Sequence, residues 1–430
     1  MVQMNKQTYQ DIEETVHSKK LDNGLTVILL RKPEMSKTYS LFSTKYGSID
    51  QTFTPIGEKE MVTVPDGVAH FLEHKLFEKE DRDVFADFGR QGASPNAYTS
   101  FTNTAYLFSA TDNIEQNVET LLDFVQEPYF SEQSVEKEKG IIKQEIMMYD
   151  DQPDWQAMMG TIKSLFKNHP VKTDIAGTVA SIETITKDDL YTCYHTFYHP
   201  ENMTLFIAGN FAVEEMMAMI ETNQANKSFT KMDEIMRDYP EEPEEVAIKK
   251  HQITMPVSIP KCMVGIKESS EELSGAAFIK KDLLQGMIVE HYFSKSGAFY
   301  QELYAEQLID ASFEFSTSLE ANFGFTMIGG NTKQPDAFAN KVKELLISTQ
   351  TASLTEEEFA TMKKKEIGQM LRAMNSLEYI ANQYTHYHSF GVDLFTIIPE
   401  IQSLTLEDAN DFLQHWIHED RLAVCEIVGE

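Results

Sequence analysis

Short apolar runs separated by turn residues fill the first part of the chain and predict strands. The run Leu25–Leu30 follows the turn sequence Asp22-Asn23-Gly24 and predicts one strand. Three more strands are predicted at residues 39–49, 92–98 and 104–110, and helices at residues 113–126 and 132–149.

A further helix is predicted after the second strand, with Asp66 as its capping residue. Its sequence, HFLEHKLFEKE, and the residues just before it are apolar on almost every side: Val68, Ala69, Phe71, Leu72, Leu76 and Phe77. A helix with this pattern is expected to be buried. The polar residues that it carries inside then need partners.

An acidic segment with two prolines interrupts the pattern near the middle of the chain. Residues 232–246 read MDEIMRDYPEEPEEV, which is typical of an inter-domain linker. A chain of 430 residues is also longer than one ordinary core supports. We therefore expect a first domain over residues 1–230, a linker over residues 231–247 and a second domain over residues 248–430. In the second domain, residues 252–267 and 310–329 predict strands, and residues 276–293 and those from 355 onward predict helices.

The two predicted domains end on similar sequences. Residues 186–205 read TKDDLYTCYHTFYHPENMTL, and residues 405–424 read TLEDANDFLQHWIHEDRLAV. In both segments a helix with an aromatic end runs into a short strand. The pattern indicates two related α+β domains, although a similarity this short also arises by chance.

The net charge limits the classes of function. Asp and Glu number 68 against 37 Lys and Arg, so the net charge is −31. A general nucleic-acid-binding protein needs a basic face, and this composition argues against that class. The acidity either serves solubility alone or also attracts basic peptides.

The cysteines and the apolar runs bear on the compartment. Cys193, Cys262 and Cys425 have no CxxC spacing and lie in apolar surroundings, which is typical of buried free thiols in a reducing compartment. The first twenty residues are polar and lack the apolar core of a signal peptide. No run reaches the roughly 18 apolar residues of a membrane span. We expect a cytoplasmic protein without stable membrane insertion.

The motif that carries chemistry is HFLEH at residues 70–74. A helical turn takes about 3.6 residues, so His70 and His74 lie one above the other on one face and can bind one zinc ion. Glu73 lies at the rim of that face, where it can take a proton from a zinc-bound water. The arrangement is the inverted form of HExxH.

A third zinc ligand is expected from another element, because a catalytic zinc usually has three protein ligands. The candidate is Glu145, on the helix predicted over residues 132–149. Glu138 lies two turns earlier on the same face and can orient a ligand.

Simpler interpretations of these histidines stay open. The five-residue motif arises by chance in about 3% of chains of this size and composition, and exposed histidines need no function. A second pair, His386 and His388 in THYHS, could bind metal from a strand, but it is more typical of a helix face.

Several segments together resemble the insulinase, pitrilysin and mitochondrial processing peptidase family of zinc metallopeptidases. Residues 67–77 resemble its zinc helix, residues 21–27 (LDNGLTV) its opening strand, residues 96–99 (NAYT) its edge strand, residues 197–203 (FYHPENM) the approach to the last strand of its first domain, and Glu138 with Glu145 its pair of glutamates. By length the chain is similar to the bacterial half-size members, with two homologous domains in place of four.

The resemblance implies two α+β domains, each an antiparallel-rich sheet covered by helices on one face, that form half of a clamshell chamber. It implies one zinc ion per chain, held by His70, His74 and Glu145. Glu73 would be the general base, and Glu138 would support the ligands.

The resemblance also implies a peptide-binding edge. Asn96, Ala97, Tyr98 and Thr99 would lie on an edge strand that receives the substrate as an added β-strand. The alternative is an ordinary sheet edge with no ligand.

One departure from the family concerns the second domain. Catalytically active halves of family members carry an Arg in their second domain, followed seven residues later by a Tyr. Tyr304 stands where the Arg is expected, the Tyr position falls on Ala311 or Phe313, and residues 238–371 contain no arginine. We expect a homologous half-size partner subunit to supply the Arg and Tyr in a heterodimer.

Three functions fit these observations. The first is a zinc endopeptidase subunit that hydrolyses unfolded peptides, the second a non-catalytic structural or assembly subunit, and the third a peptide-binding or transport module without chemistry. The complete set of His70, Glu73, His74 and Glu145 favours the enzyme.

Overall fold

The computed structural model describes residues 4–232, 234–269 and 271–429. Asp233 of the predicted linker therefore lies outside the described residues, as do residues 1–3, 270 and 430 of the predicted domains. The strands are β1 Asn5–Tyr9, β2 Glu14–Lys20, β3 Thr26–Arg31, β4 Thr38–Thr44, β5 Thr52–Phe53, β6 Val62–Thr63, β7 Ser94–Thr99, β8 Thr104–Ala110, β9 Met203–Gly209, β10 Lys250–Thr254, β11 Lys261–Lys267, β12 Glu314–Leu319, β13 Gly324–Asn331 and β14 Leu422–Val428.

The helices are α1 Val68–Phe77, α2 Val84–Arg90, α3 Ile114–Gln126, α4 Glu132–Asp150, α5 Pro153–Leu165, α6 Val179–Thr184, α7 Lys187–Phe197, α8 Val213–Ala225, α9 Gly275–Phe293, α10 Ala298–Ala305, α11 Pro335–Ser348, α12 Glu356–Ala373, α13 Leu377–Ser389, α14 Ile397–Ser403 and α15 Leu406–Trp416. Among the described residues, no helix is long and apolar enough to cross a membrane.

The chain divides into two units. Unit 1 takes the residues up to 146, residues 174–239 and residues 373–389. Unit 2 takes residues 147–173, residues 240–372 and the residues from 390 onward. The units are thus not contiguous in sequence, because residues 147–173 and 373–389 each belong to the unit formed mainly by the other half of the chain.

Unit 1 is built on a seven-stranded sheet in the order β1-β2-β3-β9-β4-β8-β7. All neighbours are antiparallel except β3 and β9. Every residue of β4 and β9 is buried. Of these central strands, β9 (MTLFIAG) reads as a nearly continuous apolar run because both of its faces are covered, while β4 (TYSLFST) also buries Ser and Thr.

Unit 2 is built on a five-stranded sheet in the order β10-β14-β11-β13-β12. Here β10 and β14 are parallel, and the other neighbours are antiparallel. The order and directions repeat those of β3-β9-β4-β8-β7 in unit 1. This repetition confirms the predicted pair of related α+β domains.

The short sequence repeat is confirmed at the level of single contacts. Thr186 caps α7 by accepting from the backbone N–H of Asp189, and Thr405 caps α15 by accepting from that of Asp408. In each case the aspartate side chain accepts from the backbone N–H of the threonine. Both helices then run into the strand that pairs in parallel, β9 or β14.

Each sheet also takes a helix from the distant part of its unit. In unit 1, α13 packs on β4 and β9, with Phe206 against Tyr384. In unit 2, α5 packs on β11 and β14. The approach is close there, because a Cβ at Gly160 would lie 2.7 Å from Cys425 Sγ.

Two predicted strands are shorter than expected. The strand predicted at residues 39–49 ends at Thr44, because the N–H of Gly47 donates to the Asp50 carboxylate and not to a neighbouring strand. The run 252–267 splits into β10 and β11, since Pro256 and Pro260 offer no backbone N–H to a ladder.

The chain passes from unit 1 to unit 2 between Tyr239 and Pro240. Residues before and after this point form ion pairs within their own units. Arg237 pairs with the buried Asp50 at 2.8 Å in unit 1. In unit 2, Glu242 pairs with buried Lys267 at 2.5 Å and accepts from three successive backbone N–H groups at residues 167–169. Glu242 of the acidic segment thus has structural partners.

Candidate metal centre

Helix α1 lies in the core of unit 1. Eight of its ten residues are buried, as the apolar pattern predicts. The prediction that Asp66 caps it is wrong, since the N-cap is Gly67 with φ of 89° and no side-chain bond. Glycine is needed there, because a Cβ would lie 2.4 Å from the carbonyl oxygen of Ala176.

The side chains of His70, His74 and Glu145 converge. His70 Nε2 lies 3.7 Å from Glu145 Oε1, and His74 Nε2 lies 3.5 Å from Glu145 Oε2. One ligand atom from each residue lies within 4.8 Å of the other two. Donor atoms about 2.1 Å from a tetrahedral zinc lie about 3.4 Å from one another, so these residues fit a zinc ion.

Glu138 supports the second histidine. Its Oε1 lies 3.1 Å from His74 Nδ1, and the residue is only 7% exposed. With the carboxylate accepting, Nδ1 carries the hydrogen, and Nε2 keeps its lone pair toward Glu145. By contrast, His70 Nδ1 is buried with no hydrogen-bond partner among the described residues.

The protonation states follow from burial and from the carboxylates. Burial, together with the charge of His74, lowers the pKa of His70 to about 3 and keeps its imidazole neutral. Burial opposes protonation of His74, but its hydrogen bond to Glu138 and the charges of Glu73, Glu138 and Glu145 raise its pKa. Burial raises the pKa of Glu145, against the attraction of His74. Neutral imidazoles and a carboxylate are the forms that zinc binds.

Glu73 lies beside these ligands on α1 and is 9% exposed. Thr99 Oγ1 donates to its Oε2 at 2.7 Å. Burial raises the pKa of Glu73, while the Thr99 hydrogen bond and the charge of His74 oppose the rise. A carboxyl group with a raised pKa is suited to accept and release a proton near neutral pH.

Strand β7, which carries the NAYT sequence, is the last strand of its sheet and runs past α1. Tyr98 donates to Asn382 on α13 at 2.7 Å, and Asn96 accepts from the N–H of Ala97. The backbone groups on the outer side of β7 lie at the edge of the sheet, as expected for strand addition.

A cavity of about 400 Å³ adjoins His74 and Glu138. Its apolar walls are Phe77, Phe85 and Ile141, and its basic residues are Lys79, Arg82 and Lys137. Phe85 and Ile141 are 45% and 46% exposed. Sequence reasoning missed this cavity and the Thr99–Glu73 bond, since both join residues of different elements.

The other candidate residues lie elsewhere. His386 and His388 lie on helix α13, and a spacing of two does not place helical side chains on one face. In unit 2, Tyr304 lies on α10, is 61% exposed and stacks on Tyr300. Phe313 packs against Tyr300 as an aromatic ring without a hydroxyl.

Two family models match the chain. The model of insulinase, peptidase family M16, matches residues 63–179, and the model of the peptidase M16 inactive domain matches residues 184–366. The uncharacterized zinc protease YmfH of Bacillus subtilis (strain 168) is 50% identical over 420 residues, which cover 98% of each chain.

Solved structures show the same fold. An M16-like peptidase from Alicyclobacillus acidocaldarius is 38% identical, with a TM-score of 0.93 over 100% of this chain and 99% of its own. Pitrilysin, at 14% identity and a TM-score of 0.73, matches 99% of this chain with 46% of its own. The chain therefore has the size of about half of pitrilysin.

Proposed function

The chain belongs to the insulinase family, peptidase family M16, and we propose that it is a zinc-dependent endopeptidase subunit that hydrolyses unfolded peptides. The observation that carries the proposal is the convergence of His70, His74 and Glu145 next to Glu73. All four residues fall within the part of the chain that matches the insulinase model.

In this proposal His70, His74 and Glu145 hold one zinc ion. Zinc in such a site supplies Lewis acidity toward water and the peptide carbonyl. Glu73 takes the proton from the attacking water and passes it to the leaving amine. Glu138 fixes the ring of His74 in the tautomer that leaves Nε2 free for the metal.

The substrate is proposed to bind as a strand along β7, through residues 96–99. Backbone pairing of this kind gives affinity with little demand on sequence. The cavity beside His74, which has apolar walls and charged residues around them, offers a site for one side chain of the peptide.

We further propose that activity requires a homologous half-size partner. Attack on a peptide carbonyl places negative charge on oxygen, and loss of one donor to that oxygen costs roughly 3–4 kcal/mol in other hydrolases. Residues 238–371 contain no arginine, and Tyr304 stands where one is expected. A homodimer would duplicate the zinc residues without adding the Arg and Tyr, whereas a heterodimer supplies them.

The alternative is a non-catalytic structural subunit. The family model that matches residues 184–366 is described as an inactive domain, but this match does not include His70, Glu73 or His74. The zinc ligands and the base, which all lie in residues 63–179, therefore favour the enzyme. A cytoplasmic location is supported by three buried free cysteines, since disulfides are rare in reducing compartments.

The test compares this chain, a co-purifying homologous partner and their mixture on one unstructured fluorogenic peptide with zinc present. The expected result is cleavage by the mixture only, with the Glu73→Gln mixture as the matched inactive control. Full activity of the single chain would disprove the heterodimer, and an inactive mixture that binds zinc would favour the structural subunit.

A further inference from the structure

We propose that Thr99 positions the Glu73 carboxylate for proton transfer. This role rests on the proposed function, because it requires Glu73 to act as the base. Thr99 Oγ1 donates to Glu73 Oε2 at 2.7 Å, the length of a strong charge-assisted hydrogen bond. Since Oε2 is engaged in this bond, Oε1 is the oxygen left to accept a proton.

The side chain of Thr99 points toward α1 and not along the sheet edge. Successive residues of a strand face opposite sides of the sheet. Tyr98 reaches Asn382 on α13, while Thr99 on the opposite side reaches Glu73 on α1. Ala97, on the same side as Thr99, packs against the core that includes Phe71 of α1. Substrate pairing therefore concerns the backbone of β7, and the hydroxyl of Thr99 serves the base.

The hydroxyl of Thr99 is itself held in place. Thr99 pairs across the hairpin with Thr104, and Ser100 donates its N–H to the carbonyl of Asn103 to close the loop. Thr104 Oγ1 donates to the carbonyl of Tyr46 at 2.9 Å and is fully buried. The Thr104 oxygen lies 3.5 Å from Thr99 Oγ1, against 2.7 Å for Glu73 Oε2, so the hydrogen of Thr99 goes to the nearer carboxylate. A fixed donor of this kind holds a carboxylate in one orientation.

The fold does not require a hydroxyl at this position. The hairpin of β12 and β13 in unit 2 has the same pairing and the same loop, with Leu319 opposite Gly324 and the N–H of Glu320 donating to Phe323. Leu319 occupies the place of Thr99, and Gly324 that of Thr104. Because the same hairpin forms with two apolar residues, the hydroxyl of Thr99 has a purpose beyond closing the turn.

The test uses Thr99→Val, which keeps the shape and removes the hydroxyl, and Thr99→Ser, which keeps the hydroxyl. Thr222→Val, on the surface of helix α8, is the matched control. With the partner present, Thr99→Val is expected to lower kcat about tenfold to hundredfold with KM and zinc content unchanged, and Thr99→Ser to restore most of kcat. An unchanged kcat, or a raised KM with kcat intact, would overturn the proposal.

A second measurement does not depend on peptidase activity. Acetohydroxamate, a zinc chelator with a hydroxyl that can donate to a nearby carboxylate, is titrated into the zinc-loaded single chain. As a single substitution, Thr99→Val is expected to weaken acetohydroxamate binding. Added to Glu73→Ala, it is expected to have no further effect. Equal binding by the Thr99→Val and unaltered chains would overturn the role of Thr99. If the mixture cleaves no peptide, the proposed function fails, while this titration still decides whether Thr99 acts through Glu73.

Discussion

The hydrogen bond between Glu138 and His74 predicts a graded loss of zinc affinity when Glu138 is replaced. A hydrogen bond to a charged group is worth about 1.5–3 kcal/mol. Loss of a residue that supports a zinc ligand typically lowers metal affinity 10–100-fold, which is about 1.4–2.8 kcal/mol. The two estimates agree, so Glu138→Ala is expected to weaken zinc binding about 10–100-fold.

Glu138→Gln should give an intermediate result. The amide oxygen of Gln can still accept from His74 Nδ1, which lies 3.1 Å from the carboxylate. A neutral acceptor gives roughly half the energy of a charged one. The expected loss is therefore about 0.7–1.5 kcal/mol, or roughly threefold to tenfold in zinc affinity.

The assay is competition with a fluorescent zinc chelator at pH 8. Glu138 raises the pKa of His74, so a lower pH would let protons compete with zinc. Glu136→Ala and Glu136→Gln are matched controls, because Glu136 lies on the same helix with its side chain 69% exposed. Zinc affinity that is unchanged in Glu138→Ala, or reduced equally in Glu136→Ala, would refute the reasoning.

Three further predictions follow from single side chains. Glu145→Gln is expected to lower zinc content in metal analysis, and unchanged content and affinity would remove Glu145 from the ligands. Glu73→Gln is expected to keep zinc but lower the cleavage rate of the mixture on the order of 10²–10⁴-fold, and wild-type cleavage would show that Glu73 is not the base. Burial lowers the pKa of His169 to about 4, outweighing the nearby Glu242 carboxylate. At this residue the native state therefore binds fewer protons than the unfolded one below about pH 6.5. His169 alone is expected to lower the free energy of unfolding by on the order of 3 kcal/mol between pH 6.5 and pH 4, measured by denaturant unfolding. His169→Asn, which keeps an acceptor for the N–H of Val171, should flatten that slope, and an unchanged slope would contradict the assignment.

Local sequence patterns predicted those parts of the fold that depend on local geometry. The buried helix α1 follows from its apolar residues, and the convergence of His70 with His74 follows from their helical spacing. The capping threonines Thr186 and Thr405 marked the repeat, because a capping box has a sequence signature.

Contacts between elements that are distant in sequence could not be predicted in this way. The helical pattern of α5 does not show which sheet the helix covers. Gly160 on the helix and Gly265 on β11 permit the close approach, but their sequence positions do not pair them. The bond between Thr99 and Glu73 joins residues 26 positions apart, on a strand and a helix. The cap at Gly67 depends on the carbonyl of Ala176, which is also distant in sequence.

Glu268 in unit 2 and Glu145 in unit 1 show how a carboxylate that stabilises the fold differs from a candidate metal ligand. In unit 2, Glu268 accepts from Gln285 at 3.0 Å and from Trp416 at 2.9 Å, and pairs with Lys281 at 3.2 Å. This carboxylate is fully used in stabilising the fold. In unit 1, the distances of 3.5 and 3.7 Å from Glu145 to the two histidines are too long for good hydrogen bonds but close to the edge of a zinc tetrahedron. Glu145 is partly buried, with its side chain 25% exposed, and it loses hydration without a good hydrogen bond to either histidine. This geometry is better explained by a shared metal than by the stability of the fold. In the proposed function, the same frame therefore serves packing in unit 2 and chemistry in unit 1.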